Sequence, residues 1–422
     1  MNKLSIWGPA KLSGSVKISC SKNACLPIIA GTLLTEKKVI LESLPNLRDV
    51  KTIVQLLSKL GSEIKENASG EWVFDNSHLE SVEARYDLVK TMRASILVLG
   101  PLLARYGRAV VSLPGGCAIG MRPIDIHLEG LRQLGAKIEL EGGYVVASCD
   151  DKLKGAEILL SFPSVGATEN IMMAAVLAKG KTIIRNAACE PEITDLANFL
   201  NRLGGKVSGA GSNEMEIIGV DSLDNEISYN IIPDRIEAAT YIIAAVATRS
   251  EITVENVVPG HLESVLGVLE QMGASFDRGF DEIKVLKTGK LKGVNIETAP
   301  YPGFPTDVQA QLMALASTID GETVITENIF ENRFMHVPEL VRMGVAVNLK
   351  NYSAYVKGGG KLSGAPVMCT DLRASAALVI AALVADGETQ VRRIYHLERG
   401  YDDFDKKLRN LDVKIEKYIG EE

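Results

Sequence analysis

Apolar positions recur along the chain with a long, regular period. Leucine or methionine residues three positions apart, each pair followed by glycine or aspartate, occur at 57–61, 131–135, 200–204, 269–273, 340–344 and 408–412. The ends of these phrases are 74, 69, 69, 71 and 68 positions apart. This spacing is typical of an amphipathic helix that ends in a left-handed C-cap, and Asp412 tolerates the same backbone region. The sequence therefore predicts six copies of one unit, each with a strand after its amphipathic helix.

A second kind of segment recurs with the same count and is apolar on nearly every face. The six segments are 24–34, 94–104, 171–178, 238–247, 310–319 and 374–385. They are too short to cross a bilayer, so they are predicted to be helices buried in a protein core. Most are followed by a glycine turn and a short alternating strand, as at 180–185. An open solenoid is one reading of such repetition, but solenoid repeats are usually shorter. Six large units with buried helices favour two domains of three units, with helices inside and sheets outside.

The charge balance narrows the choice of partners. The chain has 422 residues, a net charge of −7 and no basic block. Duplex DNA and anionic membranes require clustered Lys and Arg, so neither nucleic acid nor a membrane is expected as the main partner. A small anionic ligand remains possible, because it needs only a few well-placed cations.

The cysteines and the first residues indicate a compartment. Six cysteines form no CxxC pair, which argues against structural zinc, and their scatter fits a reducing compartment better than a disulfide framework. The first residues lack the apolar core of a secretory signal. We therefore expect a cytoplasmic protein whose cysteines other than Cys117 are buried and inert.

Cations stand just before or inside the first turn of several buried helices: Lys22, Arg93, Arg235 and Arg373. A cation there opposes the helix dipole, and an anion shared with the helix end reverses that sign. Each could also be an ordinary solvated charge. Their recurrence favours a site that binds several anionic groups.

The segment 113–123 holds three glycines, two prolines and Cys117, a composition typical of an exposed loop. Arg122 lies five residues after the thiol, a setting that favours a reactive cysteine or a mobile lid. The chain has no P-loop, no complete dinucleotide fingerprint and no HExxH motif, so neither a metal nor a cofactor is expected. His127 is interpreted as structural.

Several motifs resemble those of the UDP-N-acetylglucosamine 1-carboxyvinyltransferases, a branch of the enolpyruvyl transferase family. They occur in family order at 21–24, 113–120, 122–125, 299–307, 331–336 and 371–375. The resemblance implies two inside-out α/β barrel domains, each of three βαβαββ repeats. The first domain would span 22–230 and carry the cysteine lid loop 113–123. The second would combine 1–21 with 231–422, and the active site would lie in the cleft between them.

The resemblance also implies a reaction. The enolpyruvyl group of phosphoenolpyruvate is transferred to the 3′-hydroxyl of UDP-N-acetylglucosamine, and phosphate leaves by addition and elimination. This is the first committed step of bacterial peptidoglycan synthesis, with consequences for cell shape and division. Carried over by motif, the residues that bind phosphoenolpyruvate are Lys22, Asn23, Arg122, Arg373 and Arg399.

The same resemblance assigns the acceptor site and the proton transfers. The residues that hold the UDP-sugar would be Asn23, Arg93, Arg122, Pro123, Ile124, Asp125, Ile126, Ser164, Val165, Gly166, Asp307 and Ile329. Cys117 is the expected acid and the target of fosfomycin, Asp307 is the expected base, and Lys22 stabilises charge on the phosphate. The plain alternative for Asp307 is a helix N-cap.

One position departs from the family pattern, and the motifs argue against two other functions. Many relatives have a lysine where this chain has Phe162, which puts one nucleotide contact in doubt. A transferase acting on shikimate 3-phosphate would lack the cysteine lid loop. A non-catalytic scaffold would have no reason to keep Lys22, Cys117, Arg122, Asp307, Arg373 and Arg399 together.

Overall fold

The computed structural model describes residues 2–89, 92–113 and 124–420. Cys117, Arg122 and Pro123, with most of the lid loop, lie outside the described residues. The chain forms two compact units. We call residues 20–232 the continuous unit, and residues 2–19 with 233–420 the split unit.

The described residues form twenty-four short strands, most of them bounded by turns. The strands are β1 (Lys3–Gly8), β2 (Ser15–Lys17), β3 (Val39–Leu41), β4 (Glu63–Glu66), β5 (Trp72–Asp75), β6 (Glu83–Ala84), β7 (Arg108–Ser112), β8 (Lys137–Glu141), β9 (Tyr144–Ser148), β10 (Glu157–Leu159), β11 (Lys181–Arg185), β12 (Val207–Ser208), β13 (Glu214–Ile218), β14 (Ile227–Tyr229), β15 (Ile252–Glu255), β16 (Phe276–Arg278), β17 (Glu282–Val285), β18 (Asn295–Glu297), β19 (Glu322–Thr326), β20 (Ala346–Lys350), β21 (Ser353–Lys357), β22 (Pro366–Met368), β23 (Gly387–Arg392) and β24 (Ile415–Tyr418).

Helices of two kinds alternate with these strands. The α-helices of the described residues are α1 (Lys22–Gly31), α2 (Arg48–Leu60), α3 (Tyr86–Val89), α4 (Leu99–Tyr106), α5 (Asp125–Gln133), α6 (Val165–Ala175), α7 (Pro191–Arg202), α8 (Arg235–Ala247), α9 (Glu263–Met272), α10 (Thr306–Ala316), α11 (Val337–Arg342), α12 (Leu372–Val384) and α13 (Phe404–Asn410). Short 3₁₀ helices span Thr32–Leu34, Arg93–Val98, Pro259–Leu262 and Leu397–Arg399.

The strands form six four-stranded sheets of one topology. In each, a parallel pair is extended by two antiparallel strands, as in the order β10-β11-β13-β12 of the continuous unit. In the split unit the order β22-β23-β1-β24 repeats the pattern, with β1 supplied by the first residues of the chain. Each sheet is open, so the barrel character of a unit lies in sheets surrounding helices rather than in a closed ladder of hydrogen bonds.

The core of each unit consists of helices that are buried all round. In the split unit α8, α10 and α12 pack against one another, and nearly all their residues are buried. In the continuous unit α1 and α6 play the same part, and α6 packs against α4. The predicted α/β fold class, with buried helices and outer sheets in three repeats per domain, is confirmed.

The helix stops lie where the sequence pattern put them. Gly61, Gly135, Gly204, Gly273 and Gly344 all have positive φ, and Asp412 has a φ of 64°. The segment 94–104 differs from the expected single helix, because a 3₁₀ turn gives way to α4 at Leu99. Pro101 has no N–H, and the Gly100 N–H donates to Asn170 Oδ1 at 2.6 Å, so two helical hydrogen bonds are unavailable at this point.

Candidate functional site

In the split unit, a carboxylate lies between two buried arginines. Asp307 Oδ1 accepts a hydrogen bond from Arg333 at 2.6 Å, and Asp307 Oδ2 accepts one from Arg373 at 3.3 Å. The two guanidinium groups are almost fully buried, whereas the Asp307 side chain is 29% exposed. Asp307 is therefore the solvent-accessible end of a buried cationic cluster.

Helix geometry explains how this cluster is built. Asp307 is the second residue of α10, whose N-cap is Pro305, so the alternative reading of Asp307 as a helix N-cap is wrong. Arg373 is the second residue of α12, and the Asp371 side chain caps that helix through the backbone N–H groups of Arg373 and Ala374. The two helices pack together, which brings residues 66 positions apart in the chain into contact.

Arg373 is the most unusual side chain in the cluster. Its guanidinium lies 5.4 Å from the ring centroid of Tyr401. Burial is the largest single influence and opposes the charged form, but Asp307, Tyr401 and Asp234 together outweigh it and raise the pKa of Arg373. The Nε and Nη1 atoms of this buried group have no hydrogen-bond partner among the described residues. Buried donors of this kind are costly unless a ligand satisfies them, so Arg373 is suited to bind an anion.

A single buried carboxylate organises the chain next to Asp307. Glu327 Oε1 accepts hydrogen bonds from Thr298 Oγ1 and from the backbone N–H groups of Ile329 and Phe330, at 2.9, 2.9 and 3.2 Å. Its Oε2 accepts one from Thr306 Oγ1 at 2.9 Å, at the first residue of α10. Glu327 therefore ties the loop that presents Ile329 to the helix that presents Asp307.

The continuous unit contributes a second cation at a helix start. Lys22 is the first residue of α1, after the N-cap Ser21, and its Nζ lies 3.2 Å from Asp49 Oδ2. Asp49 is in the first turn of α2, and the two side chains are 11% and 4% exposed. The ion pair fixes the lysine head against α2, and the next residue, Asn23, is half-buried.

At the start of α6, in the same unit, the backbone lies close to a neighbouring side chain. Ser164 caps α6 through the N–H of Ala167, and Val165 and Gly166 begin the helix. A Cβ at Gly166 would lie 3.1 Å from the ring of His127, which belongs to α5. His127 Nδ1 is 3.2 Å from Asn170 Nδ2, which fits the structural role expected of this histidine.

The remaining predicted residues lie as follows. Asp125 and Ile126 begin α5 and Ile124 precedes it, Arg93 begins a 3₁₀ helix, and Arg399 ends another. Within the split unit the structure brings Asp307 and Arg373 into contact and links Ile329 to α10. Within the continuous unit it places Lys22 and Asn23 together, and Ser164, Val165 and Gly166 beside α5.

Sequence reasoning missed three residues: Arg333, Asp49 and Glu327. Arg333 lies inside a motif that carried the resemblance, which was the available signal. Asp49 looks like any acidic residue that complements a helix dipole, and nothing near Glu327 marks it as a hub. In the described ranges, no group of three or more His, Cys, Asp or Glu side chains could hold a metal ion. Over the same ranges, none of the helices combines the length and apolar character needed to cross a bilayer.

Comparison with known proteins defines the class. The sequence model of the family EPSP synthase (3-phosphoshikimate 1-carboxyvinyltransferase) matches residues 6–408. The solved structure of the enolpyruvyl transferase NikO from Streptomyces tendae has a TM-score of 0.89 at 26% identity, covering 99% of this chain and 98% of its own. EPSP synthase from Acinetobacter baumannii shares the fold, with a TM-score of 0.77 at 19% identity over 99% of this chain and 100% of its own. Fold and family model together define the class of the enolpyruvyl transferases.

Curated relatives narrow the class. UDP-N-acetylglucosamine 1-carboxyvinyltransferase 2 of Carboxydothermus hydrogenoformans is 54% identical over 99% of both chains. UDP-N-acetylglucosamine 1-carboxyvinyltransferase of Coxiella burnetii is 53% identical over 98% of this chain and 96% of its own. The enzyme of that name from Idiomarina loihiensis is 53% identical over 99% of both. The chain therefore belongs to the family of the UDP-N-acetylglucosamine 1-carboxyvinyltransferases.

Proposed function

We propose that this chain transfers the enolpyruvyl group of phosphoenolpyruvate to the 3′-hydroxyl of UDP-N-acetylglucosamine, the first committed step of peptidoglycan synthesis. The observation that carries the proposal is the near-complete overlap with relatives named for this activity, at more than half of all positions. The buried, partly unpartnered Arg373 supports an anionic substrate in particular. The substrates are small molecules, and a cytoplasmic site of action is part of the proposal.

The proposed donor site matches the charge of phosphoenolpyruvate. The donor carries a phosphate and a carboxylate, and removing both from water requires several cations. We assign Lys22, Arg122 and Arg399 to the donor, with Asn23 and Arg373 beside them. Arg333 joins this set because it is buried and shares the Asp307 carboxylate with Arg373.

The proposed acceptor residues are those that the family motifs assign. They are Asn23, Arg93, Arg122, Pro123, Ile124, Asp125, Ile126, Ser164, Val165, Gly166, Asp307 and Ile329. The helix starts at Ser164 and Asp125 offer backbone N–H groups, which suit an anionic diphosphate. Phe162 is 44% exposed and lies two residues before Ser164, so it can pack against a flat base.

Two proton transfers complete the proposed mechanism. The 3′-hydroxyl adds to carbon 2 of phosphoenolpyruvate while carbon 3 gains a proton, which gives a tetrahedral ketal. Loss of a proton from carbon 3 then expels phosphate and restores the double bond. Cys117 is proposed to protonate carbon 3, Asp307 to accept the hydroxyl or methyl proton, and Lys22 to stabilise the charge on the phosphate.

Phosphate release separates this function from the two alternatives. We expect release with UDP-N-acetylglucosamine and phosphoenolpyruvate, none with shikimate 3-phosphate as acceptor, and time-dependent loss after fosfomycin. Cys117→Ala should abolish covalent attachment of fosfomycin, measured by intact-protein mass because this variant lacks the proposed acid. Release with shikimate 3-phosphate alone would reassign the acceptor, and release with neither acceptor would favour a scaffold.

A further inference from the structure

Two thiols flank the first residues of α1. Cys20 Sγ and Cys25 Sγ lie 3.8 Å apart, at the positions just before the N-cap Ser21 and four residues into the helix. Apolar side chains at these two positions often pack together and fix the angle at which the chain enters a helix. Here both members of that contact are cysteines, and the residues between them include Lys22 and Asn23.

The pair has the arrangement of a reactive and a resolving thiol. The expectation that every cysteine except Cys117 is buried is wrong for Cys20, Cys149 and Cys189, which are half-buried. Because Cys20 is half-buried, a small oxidant can reach its Sγ, which lies 3.6 Å from the Ser43 carbonyl oxygen. Cys25 is buried directly behind it. Thiols that oxidise reversibly are accessible and have a second cysteine within reach. We propose that Cys20 and Cys25 form a reversible disulfide under peroxide, and that this bond shifts Lys22 and Asn23 and weakens substrate binding.

The chemistry balances with a peroxide as the oxidant. Peroxide converts the Cys20 thiol to a sulfenic acid and releases one water molecule. The Cys25 sulfur then attacks the Cys20 sulfur, the S–S bond forms and a second water leaves with the Cys25 proton. Two thiols have lost two electrons and two protons, and one hydrogen peroxide has become two water molecules.

Geometry links this bond to the helix start. A disulfide requires about 2.05 Å between the sulfur atoms, so the thiols must approach by about 1.8 Å. The loop that closes contains only Ser21, Lys22, Asn23 and Ala24. Two hydrogen bonds lie inside this ring: the Ala24 N–H donates to Ser21 Oγ, and the Cys25 N–H donates to the Ser21 carbonyl oxygen. Formation of the disulfide should therefore displace the N-cap Ser21 and the next residue, Lys22, whose Nζ is paired with Asp49.

The other described cysteines provide an internal comparison. Burial raises the pKa of the Cys149, Cys189 and Cys369 thiols, to about 12 for Cys369. Less thiolate forms on them, and peroxide reacts with thiolate. Cys149 and Cys189 resemble Cys20 in burial and in their contact with a backbone carbonyl oxygen, but among the described residues only Cys20 and Cys25 have their sulfur atoms in contact. We therefore expect Cys149, Cys189 and Cys369 to form no disulfide under conditions that join Cys20 to Cys25.

Peptide mapping tests the bond itself. Trypsin cleaves after Lys17, Lys22 and Lys37, so a Cys20–Cys25 disulfide joins two separate peptides, 18–22 and 23–37. The full-length protein is treated with hydrogen peroxide, blocked with iodoacetamide and digested without reduction. We expect the joined pair of peptides to appear, and to disappear after dithiothreitol. Alkylated Cys20 and Cys25 on separate peptides, or Cys20 oxidised alone, would overturn the proposal.

Binding tests the consequence, which rests on the proposed function. Calorimetric titration with UDP-N-acetylglucosamine is preferred to turnover, because Cys117 also reacts with peroxide. Oxidised wild type should bind about tenfold more weakly, recover with dithiothreitol, and differ from Cys20→Ser, which should be insensitive. A disulfide without loss of binding would overturn the switch. No binding by the reduced protein would instead contradict the proposed function and leave the peptide result standing.

Discussion

The carboxylate of Asp307 meets two buried guanidinium groups, and this determines what it can do as a base. Asp307 Oδ1 accepts a hydrogen bond from Arg333 and Oδ2 accepts one from Arg373, so both oxygens are engaged in the ligand-free protein. Arg373 still has unpartnered donors, so a bound anionic donor would take up part of the positive charge that surrounds Asp307. We therefore expect phosphoenolpyruvate to compete with Asp307 for Arg373 and to leave one carboxylate oxygen available to accept a proton.

Replacing the Asp307 carboxylate tests this role. Asp307→Asn keeps the size of the side chain and removes the base, so turnover should fall by about a hundredfold or more. The dissociation constant for UDP-N-acetylglucosamine should change far less. Steady-state kinetics and calorimetry on the same preparation give both numbers, with the denaturation midpoint as a check on folding. Turnover close to that of the wild type would remove Asp307 from the proton transfer.

The Lys22–Asp49 pair allows a second test at this scale. Both side chains are largely buried, so Asp49→Leu leaves a buried cation near an apolar group and should cost about 3–5 kcal/mol of stability. Adding Lys22→Met should recover much of that stability, because no buried charge remains. The double variant should still lack turnover, since Lys22 is proposed to bind the donor. Denaturant midpoints of the two variants measure this difference in stability. Equal midpoints for Asp49→Leu and the double variant would mean that Lys22 and Asp49 are not electrostatically coupled.

At the scale of elements, Glu327 joins the end of β18, the loop after β19 and the start of α10 through four hydrogen bonds. Glu327→Ala leaves four donors without this acceptor and should cost about 3 kcal/mol or more, with a raised KM for UDP-N-acetylglucosamine. Glu327→Gln should be mild. Its oxygen can keep three bonds, and the Thr306 hydroxyl can rotate to accept from the amide. Equal losses in the two variants would show that the loop does not depend on this hub.

The element that returns to the split unit contains a pH-sensitive group. Glu237 in α8 accepts the Ser19 N–H at 2.9 Å and pairs with Lys407 at 2.6 Å. Burial raises the pKa of Glu237 to about 7, although Lys407 lowers it, and Asp234 adds to the rise. The folded state therefore holds this proton more tightly than the unfolded state, and the stability it contributes is lost as pH rises from about 4.5 to 7.

Comparison with a variant isolates this effect. His336 acts with the opposite sign, since burial lowers its pKa to about 4 and its stability contribution rises with pH. The unfolding free energy of the wild type depends on pH through both groups. Subtracting the unfolding free energy of Glu237→Gln at each pH cancels the contribution of His336. That difference in unfolding free energy should fall between pH 5 and 7.5. A flat difference would mean that the Glu237 pKa is not raised.

The sequence pattern predicted elements better than contacts. Periodicity located the buried helices and their glycine stops, because local spacing alone determines which face of a helix is apolar. It flagged Lys22 and Arg373 as odd charges at helix starts but could not supply their partners. Asp49 is 27 positions from Lys22, and Asp307 is 66 positions from Arg373, so tertiary packing decides both pairs. The prediction of one continuous helix over 94–104 was wrong for the same reason, because the Gly100 N–H donates to Asn170, which belongs to another repeat.

At the scale of the whole molecule, the chain leaves and re-enters one unit, which six similar repeats could not reveal. Only the family resemblance implied it. In the structure β1 lies between β23 and β24, and β2 pairs with β15. The first residues thus fill an interior position in one sheet and an edge position in another, both in the split unit.

This topology predicts that the two units differ as isolated fragments. The continuous unit, 20–232, contains every strand of its three sheets and should fold alone. Residues 233–422 should not, because they lack β1, β2 and the buried Leu4, Ile6, Leu12, Val16 and Ile18. Five such side chains contribute roughly 10 kcal/mol, as much as the whole stability of a typical domain.

A rearranged fragment provides the control for this prediction. Lys3 of β1 pairs with Tyr418 of β24, so the start of one strand lies beside the end of the other. Joining residue 422 directly to residue 1 therefore closes a short hairpin, and a fragment running 233–422 followed by 1–19 restores both missing strands without a foreign linker. Circular dichroism and cooperative denaturation should show a folded state for this fragment and for 20–232, but not for 233–422 alone. If 233–422 unfolds as cooperatively as the rearranged fragment, the first strands add to a core that is already complete, and the burial of Leu4 and Ile6 is not what stabilises that unit.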